Sequence, residues 1–149
     1  RQIWWKIRPH TSFNTIEFRM CDMQNSLLVT KSLAAICQAL VYKSYIDLKN
    51  NNLFVDFKKD YLDDALWKAA RFGLEGFIYD EQLDKSFKLR NFIKLIIDDI
   101  KDSLKFFGNE SIVHTIDGIL NNGNGSDRQL KCFEKFGFDG LKKKLIEQK

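Results

Sequence analysis

Thr15-Ile16-Glu17-Phe18-Arg19-Met20-Cys21-Asp22 alternates two kinds of residue. With the two-residue period of a β-strand, Ile16, Phe18 and Met20 point one way, and Thr15, Glu17, Arg19 and Cys21 the other. The first set predicts a core face. The second sets a carboxylate and a guanidinium about 7 Å apart along the strand, because each residue rises about 3.3 Å. A charged strand face of this kind, inside an enzyme cleft, can grip a metal ion and a phosphate together.

Upstream, residues 3–8 read as a second strand, joined to the first through residues 9–14. A hairpin with Arg8 opposite Thr15 puts Lys6 opposite Glu17 and Trp4 opposite Arg19. The ordinary reading of Glu17 is then a cross-strand ion pair with Lys6. Everything downstream looks helical. Asn25 or Ser26 caps a helix with an apolar line of Leu33, Cys37, Leu40, Val41 and Tyr45, ended by the polar turn Asn50-Asn51-Asn52. A shorter helix over residues 61–72 stops at Gly73. A third, over residues 85–107, has a buried stripe of Leu89, Phe92, Ile93, Ile96, Ile100, Leu104 and Phe107, and a wet face of Lys94, Asp98, Lys101 and Lys105. Gly108-Asn109 breaks it, and residues 111–120 form a fourth. Ser126 opens a fifth, with Gln129 completing a capping box, and a last helical stretch covers residues 138–147. The fold class is therefore α+β, N-terminal antiparallel strands followed by a mainly α-helical region. Residues 1–149 form one domain.

The composition is that of an ordinary globular chain, with 44% hydrophobic and 30% charged residues and a net charge of +4. Thirteen Phe residues in 149 predict an aromatic-rich core. The local basic run, Lys142-Lys143-Lys144, sits where a helix C-terminus explains it, so nucleic acid is not an expected partner. No apolar run reaches the ~20 residues that cross a bilayer. Cys21, Cys37 and Cys132 are odd in number and lack metal-ligand spacing, which fits a reducing cytoplasm; Cys21 and Cys37 read as small buried hydrophobes. His10 reads as a loop residue, and Trp4, Trp5 and Trp67 as core or cleft walls. No dinucleotide or P-loop glycine motif is present. A chain that opens at Arg1 and enters an apolar strand at once is expected to be a piece of something longer. Two strands alone are not a stable sheet, so they pack on the helices or complete a sheet supplied by another segment.

Three stretches carry a resemblance. Trp4-Trp5-Lys6-Ile7-Arg8-Pro9, followed by Thr15, Glu17, Arg19, Cys21 and Asp22, resembles the bacterial carboxylate–amine ligases of the glutamate–cysteine ligase type 2 family. Trp67-Lys68-Ala69-Ala70-Arg71-Phe72-Gly73-Leu74 is similar to that family's "WRAARYGL" helix. Gly123-Asn124-Gly125-Ser126-Asp127-Arg128-Gln129 is similar to its "GNGADRQ" turn. The match corresponds to the C-terminal portion of such a ligase. Two positions depart from the pattern: Lys6 stands where the family usually carries an acidic residue, and Ala65 where it usually carries Asn.

The resemblance implies a glutamine-synthetase-like sheet that holds Mg²⁺ and ATP, backed by helices. It implies that Glu17 is a metal ligand, that Arg19 contacts the phosphate or acyl phosphate as a catalytic residue, and that Arg8 is a second phosphate contact. Arg71 becomes a substrate-binding candidate, although sharing a helix face with Lys68 and Asp64 equally describes a solvated stripe. The implied reaction activates a substrate carboxylate, glutamate or similar, as an acyl phosphate that an amine such as cysteine attacks. The implied partners are those small molecules and the missing N-terminal half of the ligase, with a homo-oligomer left open. The rival reading is a non-catalytic helical interaction module that keeps the fold and binds a protein partner through its sheet edge.

Overall fold

The computed structural model describes residues 6–52 and 58–147. Trp4, Trp5 and the expected Trp4–Arg19 pairing lie outside the described residues. In chain order the elements are β1 (Ile7–His10), β2 (Thr15–Phe18), α1 (Leu27–Lys49), α2 (Lys59–Phe72), a 3₁₀ turn (Gly73–Glu75), β3 (Phe77–Asp80), β4 (Lys85–Lys88), α3 (Leu89–Asp99), α4 (Lys101–Phe106), α5 (Ile112–Asn122) and α6 (Gly125–Glu147). The architecture is α+β, as expected.

The register of β1 and β2 differs from the expected one by two residues: Arg8 lies opposite Glu17, and His10 opposite Thr15. The cause is the loop. It is four residues long, not six, and Asn14 closes it in the left-handed region at φ 49°. Pro9 and His10 therefore belong to the strand. The Arg19 amide donates to the Lys6 carbonyl at 2.8 Å. Hydrogen-bonded and open pairs alternate along an antiparallel ladder, so Pro9–Ile16 falls at an open pair where the missing N–H costs nothing. Regular strand ends at Phe18 and does not reach Cys21.

A second hairpin replaces the start of the expected third helix. β3 and β4 pair antiparallel with Phe77 opposite Lys88 and Asp80 opposite Lys85. Asp80 Oδ1 accepts from the amides of Gln82 (2.9 Å) and Leu83 (3.0 Å), and Asp84 takes φ 46°. This is an Asx-stabilised turn ending in a left-handed residue. The helix proper begins at Leu89 and breaks at Ile100, which has ψ 6° and separates α3 from α4.

The core joins Ala35 and Ala39 of α1, Leu74, Ile97, Ile100 and Leu104, and Ile112, Ile116 and Leu120 of α5. α1 packs on α4 and α5, whereas the second hairpin packs on α2 and α3. The expected line on α1 is out of phase. Its buried residues are Ser32, Ala35 and Ala39, while Val41 and Tyr45 are exposed. Small side chains let α4 and α5 approach closely, and the Ser32 hydroxyl is satisfied by donating to the Leu28 carbonyl at 2.8 Å. The wet face of Lys94, Asp98, Lys101 and Lys105 is exposed as expected. So is the break near residue 138: Gly137 interrupts α6 at φ 66°, ψ −168°.

Two cysteine expectations are corrected. Cys21 is exposed, because the segment after Phe18 runs over the surface, and Cys37 on α1 is half-buried; Cys132 is the buried one. Burial first, and the neighbouring Cys21 second, pushes the Cys37 thiol up. Trp67 is 59% exposed and stands edge-on to Phe72, so it is not core. His10 ends β1; it is a strand residue, and its Nδ1 accepts from the Ser12 amide at 3.3 Å.

Candidate active site

Antiparallel partners share a face, so the register collects Lys6, Arg8, His10, Thr15, Glu17 and Arg19 on one side of the first hairpin. Arg8 Nε binds Glu17 Oε2 directly, and Arg19 Nε lies 3.8 Å from Glu17 Oε1. The Glu17 side chain is 40% exposed, and those of Arg8 and Arg19 are 18% and 28%. Glu17 is therefore bracketed by two guanidiniums, and not paired with Lys6. Arg8, Glu17 and Arg19, expected to act together, are brought together.

Two guanidiniums bracket the one carboxylate and Lys6 lies on the same strand face, so the face carries a net positive charge. A bare divalent ion is a poor match for it, since the Glu17 carboxylate is already engaged from both sides. Mg²⁺ arriving on a triphosphate suits it: phosphate oxygens and waters fill most of the coordination shell, and one protein carboxylate is enough. Among the described residues, no group of three or more His, Cys, Asp or Glu side chains could hold a metal ion by itself.

The opposite face of the hairpin carries Ile7, Ile16 and Met20 at 44–49% exposure. The expected core face exists as an apolar face, but the described residues cover only half of it. No substantial packing joins this hairpin to another described element.

Arg71 lies elsewhere, in the last turn of α2, where its guanidinium sits 6.0 Å from the Phe72 ring centroid. Its expected neighbours Lys68 and Asp64 pair with each other at 2.6 Å. No described contact joins Arg71 to Glu17, Arg8 or Arg19.

The turn at residues 123–129 is more central than its sequence suggests. The expected capping pair, Ser126 with Gln129, is replaced by Asn124 with Asp127. Asp127 Oδ2 accepts from the Asn124 amide (2.8 Å), and Asn124 Oδ1 accepts from the Asp127 amide (3.0 Å). Arg128 Nη1 donates to the Gly123 carbonyl at 2.9 Å. Gly123, at φ 93°, has no room for a side chain, since a Cβ there would lie 2.8 Å from the Asp127 Cβ. The end of α2 abuts the turn, with the Asn124 side-chain nitrogen 3.5 Å from where a Cβ on Gly73 would sit.

A cavity of about 750 Å³ lies on one side of the turn. One wall is the segment that follows β2, including Asp22, Gln24 and Asn25; the other is α6, including Arg128, Gln129 and Lys144. A smaller cavity of about 360 Å³ adjoins Phe72, Glu75, Arg90 and Asp127. The three motif stretches thus meet at one place, with the end of the first and the end of the second facing the third. Sequence reading missed this role of Asp22 and Asn124. The Asn-x-x-Asp spacing directly after Gly123 was the available signal.

Glu75 is held by Arg90 (2.7 Å) and Lys88 (3.1 Å), which keep its carboxyl below the usual carboxylate range. These ties bind the 3₁₀ turn to the junction of β4 and α3. No helix of the described residues is long and apolar enough to cross a membrane.

Residues 1–142 match the model of glutamate-cysteine ligase family 2. A protein of Solibacter usitatus is 36% identical over 137 residues, covering 92% of this chain and 36% of that protein. One of Sorangium cellulosum is 32% identical over 149 residues, covering 99% of this chain and 40% of its own length. One of Chloroflexus aurantiacus is 32% identical over 133 residues, covering 89% and 34%. All three carry the name "Putative glutamate--cysteine ligase 2". The chain spans little more than a third of the length of these relatives, and corresponds to their C-terminal part. With its motifs in order and the family match running from residue 1 to residue 142, this chain belongs to glutamate–cysteine ligase family 2.

Proposed function

We propose that the chain is the C-terminal part of an ATP- and Mg²⁺-dependent carboxylate–amine ligase that joins glutamate, or a similar carboxylate, to an amine such as cysteine through an acyl phosphate. The carrying observation is the bracketing of Glu17 by Arg8 and Arg19 on one strand face, in a chain of this family. Glu17 would hold Mg²⁺ delivered with ATP; the ion would neutralise charge on the phosphates.

In the first step a carboxylate oxygen of the substrate attacks the terminal phosphorus and ADP leaves. In the second the amine nitrogen attacks the acyl carbon, loses a proton and expels inorganic phosphate. Both steps load negative charge on phosphoryl oxygens. Arg8 and Arg19 are fixed cations that would meet that charge without reorganising, which is where electrostatic catalysis is strongest. Lys6 adds a further cation to the same face. Arg71 is assigned to substrate binding on its motif alone.

The half-exposed apolar face of Ile7, Ile16 and Met20 supports a sheet completed by upstream residues, with the active site shared between both parts. Three free cysteines without a pairing pattern support a cytoplasmic setting. The decisive experiment measures phosphate release by the intact protein with Mg-ATP, glutamate and cysteine, before and after Glu17→Ala. Loss of phosphate release and of Mg-ATP binding in the variant supports the ligase. An intact protein that never binds Mg-ATP belongs to the rival class, a fold-retaining module that presents its sheet edge to a protein partner.

A further inference from the structure

The larger cavity sets its charges on two facing walls, whereas on the hairpin face the Glu17 carboxylate is paired with its guanidiniums. Its α6 wall carries two cations, Arg128 and Lys144, and its facing wall carries one carboxylate, Asp22. Between them lie amide and hydroxyl groups, among them Asn25, Asn124 and Gln129. At about 750 Å³ the cavity is in the ordinary range for small-molecule sites. A lone anion would offer nothing to the Asp22 carboxylate. A simple amine would meet two cations.

A molecule with a carboxylate at one end and an ammonium a few ångströms away satisfies both walls. We propose that this cavity binds an α-amino acid as its zwitterion, with the carboxylate toward Arg128 and Lys144 and the ammonium toward Asp22. Arg128 is suited to the task, because its Nη1 is engaged by the Gly123 carbonyl and the guanidinium is thereby oriented. The reciprocal cap of Asn124 and Asp127 fixes the turn that carries it. Asp22 follows Arg19 by three residues, so the cavity opens on the segment leaving the phosphate-binding strand. That the bound zwitterion is one of the ligase's two amino-acid substrates rests on the ligase reading; the binding itself does not.

The test is calorimetric titration of the intact protein, without ATP, with L-glutamate and L-cysteine, and with propionate and propylamine as single-charge controls. Saturable binding of at least one amino acid is expected, with both controls at least tenfold weaker. Asp22→Asn and Arg128→Gln should each weaken it at least tenfold at unchanged helical circular dichroism, and Arg128→Lys should recover part of the loss. Absence of amino-acid binding overturns the proposal. So does binding that survives both Asp22→Asn and Arg128→Gln, or binding of a single-charge control as tight as that of the amino acid. Failure of the ligase reading has a different signature: no phosphate release with Mg-ATP, while amino-acid binding and its loss in the variants persist.

Discussion

Asn124 and Asp127 each accept a hydrogen bond from the other's backbone amide, at 3.0 and 2.8 Å, and so close the first turn of α6 from both sides. Replacing either by Ala should cost about 1 kcal/mol, the usual worth of a helix cap. The double variant should cost less than the sum, because the two bonds share one geometry. Urea denaturation of the four proteins checks this.

Gly123→Ala should be worse than either cap deletion. It demands a left-handed backbone from Ala and places a Cβ 2.8 Å from the Asp127 Cβ. A loss of about 1–3 kcal/mol is expected. At roughly 2–4 °C per kcal/mol for a chain of this size, a thermal melt resolves it.

Glu17→Gln should separate chemistry from stability. The Glu17 pair with Arg8 is partly solvated, so its loss should move the melting temperature by no more than the few degrees expected for about 1 kcal/mol. Phosphate release with Mg-ATP should fall roughly 100-fold or more, the scale seen when one electrostatic partner of a reacting group is removed. A large drop in stability with normal turnover would assign Glu17 to the sheet alone.

Two groups, one in the second hairpin and one in the 3₁₀ turn before it, should give opposite pH signatures. Tyr79 donates its hydroxyl to the Asp84 carboxylate, and that bond holds the phenol up at about 12, from 10.0. The folded state keeps the proton that the unfolded state releases, so the contribution is present below pH 10 and lost as pH rises toward 12. Tyr79→Phe should remove a late step from the tyrosinate absorbance titration. Glu75 is depressed by Arg90 and then Lys88, so its contribution is present above its ordinary pKa of 4.5 and lost as pH falls through its lower folded value. Glu75→Gln should flatten the acid limb of the stability profile and leave the alkaline limb unchanged.

Leu104→Ala, at a fully buried position of α4 within the core, should cost about 2–5 kcal/mol, measurable by denaturant unfolding.

How far the sequence carried these conclusions differs from element to element. The charged face of the first hairpin was legible although its register was not. A slip of one residue exchanges the faces of a strand, but a slip of two preserves them, so Arg8, Glu17 and Arg19 stay together under either pairing. The second hairpin was hidden because Lys85-Ser86-Phe87-Lys88 runs without punctuation into the strong helical stripe that starts at Leu89. Phe77-Ile78-Tyr79, bounded by Gly76 and Asp80, was the strand signal. At α6 two capping boxes overlap, and the positive φ of Gly123 favours Asn124 over Ser126. The convergence of three motifs on one turn had no local signature, since it depends on how α2 and α6 meet in space.

Ser32, Ala35 and Ala39 give α1 a lopsided tolerance to change. Trimming these positions has almost nothing to remove, whereas a single added methylene must push α4 or α5 outward or force a strained rotamer. Drift in this protein should therefore be freest toward smaller residues along that line and closed toward larger ones. A library at residues 32, 35 and 39 would recover Gly, Ala and Ser, and would exclude the Leu and Val that a hydropathy pattern favours on a buried helix.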